Sequence, residues 1–215
     1  MTFIILGYGV PKNIIKDQNY NFYLRTVFNK IFDLANSKPA DIIFCGGRTN
    51  LVKPYQKSES AEMIRLFKTL CQRPFLKNYI KSWKLIGESK SISTLENLIY
   101  AKKLIRGKES YIFCEVTRSS RISKITSRIF KGCKLRVLPI DFDQSKNRYE
   151  LKEIKRKESV ALKLDLKALQ NDKNLKLHHN IYVLKIKLSR EAKVAKKDLD
   201  EVNRRLEKEI KKFQH

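Results

Sequence analysis

The sequence predicts an α/β fold, a parallel sheet with helices on both faces, followed by a basic C-terminal appendage. Three observations carry that prediction. Five short apolar runs, rich in β-branched and aromatic residues, recur along the first 142 residues. Segments with helical apolar periodicity alternate with them, and such alternation folds as parallel sheet because each crossover is made by a helix. Each run is also stopped by glycine or polar residues, as buried strands are when they hand over to loops.

In chain order, "TFIILGYG" (2–9) is the first strand and a helix is expected over 20–36. "DIIFCGG" (41–47) is the second strand. The helix over 59–72 follows, with Ala61, Ile64, Leu66, Phe67 and Leu70 as a broad apolar face. "KLIGE" (84–88) leads into a helix over 94–106, and "SYIFCEVT" (110–117) into one over 119–131. "KLRVLPIDF" (134–142) is the fifth strand. The sequence thus divides into an α/β domain over 1–145 and a basic extension over 146–215. Within the extension "IYVLKIKL" alternates like an edge strand. Ala195, Leu199, Val202, Leu206, Ile210 and Phe213 recur at three- and four-residue steps, one amphipathic helical stripe. That stripe either packs on its own domain or mediates self-association.

Composition narrows the class. In 215 residues, 42 % apolar content fits a folded chain, and the longest apolar run is too short to span a bilayer. The N-terminus lacks the basic flank of a signal peptide. Cys45, Cys71, Cys114 and Cys133 are far apart and form no C-x-x-C pair, and only three histidines accompany them. This reads as a reduced, cytoplasmic protein with no disulfide framework and no structural zinc. The formal charge of +25 is spread along the chain, and lysines outnumber arginines. Distributed lysine fits a compositional bias, or attraction to a polyanion; specific phosphate recognition tends to use arginine's planar fork.

Ligands in open parallel sheets sit at the carboxyl ends of the strands. The loops there are "GYGVPKN", "GGRTN", "ESKSIST", "TRSSR" and "DFDQS". Gly7 and Gly9 form a tight turn without the third glycine of a dinucleotide fingerprint. Gly46 and Gly47 before Arg48 would bring backbone N–H groups and a cation to an anion. Ser58 and Glu59 open a helix, where capping alone explains them. Ser93 and Glu96 fit a capping box, which leaves Glu88, Ser91, Thr94 and Asn97 unexplained. Thr117, Arg121 and Lys124 are candidates to face the same cleft.

Together these stretches resemble the YdcF/SanA/ElyC family of bacterial domains over residues 2–143. "ESKSISTLEN" matches its E-x-x-S-x-x-T-x-x-N element at Glu88, Ser91, Thr94 and Asn97. "CGG", "SES" and "ILGYG" match its S-G-G, S-E-A and V-L-G-x-G elements, and Arg25 falls where the family has an arginine in the first helix. The resemblance implies a Rossmann-like fold and, for some relatives, a role near cell-envelope metabolism. It departs at T-x-x-x-H-x-x-R, where Arg121 stands at the histidine position and Lys124 at the arginine position. A guanidinium stays protonated, so phosphate binding would survive there while proton transfer would not.

The functional expectation is a protein that binds or acts on a small phosphate-bearing ligand: a nucleotide, sugar phosphate or lipid phosphate. Gly46, Gly47, Arg48 and Arg121 would hold the anion. Glu88, supported by Ser91, Thr94 and Asn97, would orient the reacting group, with Glu59 a second carboxylate. No cofactor is specified. The alternative is a non-catalytic module that binds nucleic acid or an anionic surface through its lysines.

Overall fold

The computed structural model describes residues 1–9, 11, 13–51, 53, 55–107, 109–142, 151–195 and 199–214. The domain boundary expected near residue 145, and the end of the "DFDQS" loop, lie outside them. Five strands, β1 (Thr2–Leu6), β2 (Ala40–Cys45), β3 (Trp83–Glu88), β4 (Glu109–Glu115) and β5 (Lys134–Ile140), pair in parallel in the order β3-β2-β1-β4-β5. The chain steps outward from β1 to β3, then returns to the other side of β1 with β4. This reversal makes β1/β4 the switch point at which neighbouring loops diverge.

Period-two alternation divides the core between the two faces of the sheet. Phe3, Ile5, Ile42, Phe44 and Phe113 pack under α1 (Gln18–Ala35) and α2 (Glu59–Cys71). A turn at Pro74–Leu76 and the short α3 (Lys77–Ile80) then lead into β3. Ile4, Leu6, Ile43 and Ile112 pack under α4 (Thr94–Lys102) and α5 (Ser119–Ile129). Local signals set the helix starts: the side chains of Asp17, Ser58 and Ser93 accept from the backbone N–H groups of Tyr20, Ala61 and Glu96. Strand pairing stops at Leu6, Cys45 and Glu115, short of the apolar runs' ends, because the glycines and Thr117 belong to the turns.

The extension corrects the sequence reading. It forms α6 (Leu151–Ala168), α7 (Asp172–Ala195) and α8 (Leu199–Gln214), and "IYVLKIKL" lies inside α7 rather than in an edge strand. Its alternation comes from a helix touched on several sides. Leu184 and Leu188 pack toward α8, Val183 and Ile186 line a hollow beside the strand tips, and the Tyr182 ring stacks obliquely on His178. Ala168 of α6 joins the core beneath α4 and α5, so the extension is packed onto the α/β domain. Val202, Leu206 and Phe213 of α8 are buried, the first two against Ala192 of α7. Of the stripe considered for self-association, these three residues are covered by the same chain, while Ala195 is exposed. Among the described residues no helix is long and apolar enough to cross a membrane.

Candidate functional site at the strand tips

The glycine loops close around a carboxylate. Glu59, at the start of α2, is 5 % exposed, and its side chain lies directly over Gly7 and Gly46. A Cβ at Gly7 would stand 2.1 Å from Glu59 Cδ, and one at Gly46 2.5 Å from Oε2, so neither position has room for a side chain. The Gly9 N–H donates to Glu59 Oε1, and the Tyr20 hydroxyl of α1 contacts the same oxygen. Burial pushes the Glu59 carboxyl pKa up, against the opposing pull of Tyr20, the Gly9 N–H and the Arg118 charge. Of the two glycine N–H groups expected to cradle an anion, that of Gly46 is already used. Gly46 N donates to Glu88 O at 3.0 Å, while the Gly46 and Gly47 carbonyls accept from Ser60 and Glu59 at the α2 N-terminus.

A second cluster adjoins it at the β3 tip. Glu88 is buried and accepts from the N–H groups of Lys90 (2.7 Å) and Ser91 (3.0 Å) and from the Ser91 hydroxyl. Ser91 also meets Asn97 Oδ1. One hydroxyl proton cannot serve both acceptors; donation to Glu88 requires Asn97 to turn its amide N–H toward Ser91. Gly47 seats this loop, since a Cβ there would come within 2.0 Å of Ser91 O. Glu88, expected to orient a reacting group, thus holds its own loop in shape. The capping box is shifted by one residue: Glu96 accepts from Ile92 N at 2.8 Å, and its other oxygen meets His179 of α7 at 2.7 Å. Burial, then the charges of Glu88 and Glu59, raises the Cys45 thiol at the end of β2.

The cations are distributed differently from the expectation. Arg121 is 6 % exposed and spent internally: its guanidinium meets Glu158 at 2.6 Å, Asp165 at 3.0 Å and Thr94 at 3.3 Å. Two carboxylates from α6, which no sequence motif announces, neutralise the charge that was to hold a ligand. Thr117 is bound to Glu115 through both its N–H and its hydroxyl. Arg25 and Lys124 are exposed on α1 and α5, outside these clusters. Arg118 matches no motif element. It spans the switch point, donating from β4's end to Gly7 O at 3.2 Å.

Beside the two carboxylate clusters lies a hollow of about 630 Å³ between α7 and the loops after β2 and β3. Arg48, Lys187 and Arg190 bring three cations to its lining, against one acid, Glu191; Ile92, Val183, Ile186 and Val194 make its apolar walls. Arg190 fixes the β2 loop by donating to Arg48 O (2.8 Å) and Asn50 O (3.0 Å), and its guanidinium lies 4.3 Å from the Tyr55 ring centroid. Only Arg48 among these was foreseen. The α7 residues Val183, Ile186 and Lys187 sit in "IYVLKIKL", whose alternation reads as an edge strand, so nothing local signals that they reach the strand tips. Among the described residues no group of three or more His, Cys, Asp or Glu forms a metal-ligand set. No family model, curated protein or solved structure is found to match the chain.

Proposed function

We propose that this chain is a YdcF-like protein that binds a small phosphate-bearing ligand at the carboxyl ends of its strands, in the hollow between α7 and the loops after β2 and β3. The observation that carries the reading is the lining of that hollow. Arg48 and Lys187 offer charge-assisted contacts to an anion, with Arg190 already ordered beside them. Ile92, Val183, Ile186 and Val194 suit an apolar or aromatic remainder. The buried carboxylates Glu59 and Glu88 shape the floor around the glycine turns instead of facing an anion, which their own charge would repel.

A thermal-shift panel of nucleotides and phosphorylated metabolites, followed by calorimetry on the hits, tests the reading. A hit should raise the melting temperature by a few degrees, about what 1 kcal/mol of linkage gives in a chain of this size. Arg48→Ala with Lys187→Ala should abolish the shift while leaving the unliganded melt in place. A ligand bound equally well by that double variant, or no ligand in the panel, would count against the site.

A further inference from the structure

The opposite edge of the sheet carries a surface of another kind. Between α2 and β3 the chain reads "RPFLKNYIKSWK", Arg73 to Lys84. Leu76 and Ile80, four residues apart, are the buried anchors of this segment. Phe75 and Tyr79, also four apart, point the other way and are 69 % and 51 % exposed. Arg73, Lys77, Lys81 and Lys84 are exposed along the same stretch, and among the described residues none of them forms an ion pair. No acidic residue occurs between Glu62 and Glu88, so no carboxylate within this segment competes for its cations. The Tyr79 ring also meets Phe32 of α1 at 5.9 Å, edge to face, and both form walls of a hollow of about 300 Å³. Its remaining lining is Asp33, Asn36 and Ser37, with Asn36 and Ser37 in the left-handed region at φ 44° and 63°, at the end of α1.

We propose that this amino-terminal edge of the sheet is a binding surface for single-stranded nucleic acid, with one base seated between Tyr79 and the end of α1 and the strand's phosphates on Arg73, Lys77, Lys81 and Lys84. Exposed aromatic faces interleaved with cations are what an unpaired strand uses, because every base has a face to stack and every linkage carries a charge. The carboxylate, amide and hydroxyl of Asp33, Asn36 and Ser37 offer acceptors and donors to a base edge. The same polar rim argues against a lipid surface, which would have to desolvate Asp33. A duplex keeps its bases stacked inside and could not fill the hollow. This surface lies at the other end of the strands from the phosphate-ligand hollow and stands independently of it.

Fluorescence anisotropy with a labelled mixed-sequence 12-mer, as single-stranded RNA, single-stranded DNA and duplex, tests this on the full chain. Phe75→Ala with Tyr79→Ala removes the stacking faces, and exposure of both residues lets the fold persist, checked by melting. Lys208→Gln with Lys211→Gln on α8 removes exposed charge elsewhere as a control. The expected result is tighter binding to single strands than to duplex, weakened about fivefold or more by the aromatic pair and less than that by the control. Aromatic variants that bind as well as the unaltered chain, or equal affinity for duplex, would overturn the proposal. So would preferential, aromatic-dependent binding to phosphatidylglycerol vesicles in a sedimentation assay, which would make the surface a membrane contact.

Discussion

Glu59 shows how one side chain dictates the sequence around it. Its carboxylate occupies the space that side chains at positions 7 and 46 would need, so both are glycine. Glu59→Ala would strand the Gly9 N–H, leave the Tyr20 hydroxyl only its bond to the Gly9 carbonyl, and open a cavity, at a cost of about 2–4 kcal/mol by urea unfolding. Glu59→Gln keeps an acceptor and separates shape from charge. Because burial raises the folded pKa, the folded protein holds this proton more tightly than the unfolded chain does. The stability Glu59 contributes is fully present below its ordinary value of 4.5 and is lost as pH rises through the folded value. Melts at pH 4, 6 and 8 should therefore show the glutamine variant gaining on the unaltered chain as pH rises; a pH-independent difference would contradict a raised pKa. Gly7→Ala and Gly47→Ala differ in kind. The first meets the Glu59 side chain and should be less costly in a Glu59→Ala background. The second meets the Ser91 carbonyl at 2.0 Å and should cost about 3 kcal/mol in either background.

At the scale of elements, the α5–α6 contact is an ionic one. Asp165 is fully buried, accepts from Arg121, and lies 3.0 Å from His178 Nε2. The carboxylate accepts from both, so Nε2 carries a proton, and among the described residues the buried Nδ1 has no hydrogen-bond partner. Arg121→Met would leave Asp165 a buried charge without its guanidinium partner and should destabilise by about 3–5 kcal/mol. Adding Asp165→Asn should recover part of that loss, measured as a coupling in urea unfolding. The five strands and the four longer helices of the α/β domain were legible in the sequence, because apolar runs and helical periodicity alternate and the caps Ser58 and Ser93 mark the starts of α2 and α4. The glycine turns and the E-x-x-S-x-x-T-x-x-N stretch were legible as a group of neighbours. Their bonding was not. Whether Arg121 meets a ligand or Asp165 depends on a helix 44 residues further along, and no local pattern encodes that choice. The helical state of 181–188 was hidden for a related reason: its apolar residues serve three contacts, so they do not fall into one stripe.

For the whole molecule, the extension behaves as part of the fold, and this separates two pictures of the protein. In the first, the α/β domain is complete and the helices are a basic tail; in the second, the helices finish both its core and its site. Several contacts favour the second: Ala168 lies in the core under α4 and α5, Glu158 and Asp165 neutralise Arg121, His179 meets the α4 cap at Glu96, and Arg190 fixes the β2 loop. Removing α6 to α8 would expose the apolar side chains that Ala168 and Leu162 cover beneath α4 and α5 and take from Arg121 both of its acids. Residues 1–142 produced alone should therefore lack a cooperative melt, whereas removing only 199–214 should leave the α/β core folded at a lower melting temperature. Supplying 151–214 as a separate chain should restore cooperativity if the packing is the cause. A cooperative 1–142 fragment with the stability of the full chain would show the extension to be dispensable, and with it the α7 wall of the phosphate-ligand hollow.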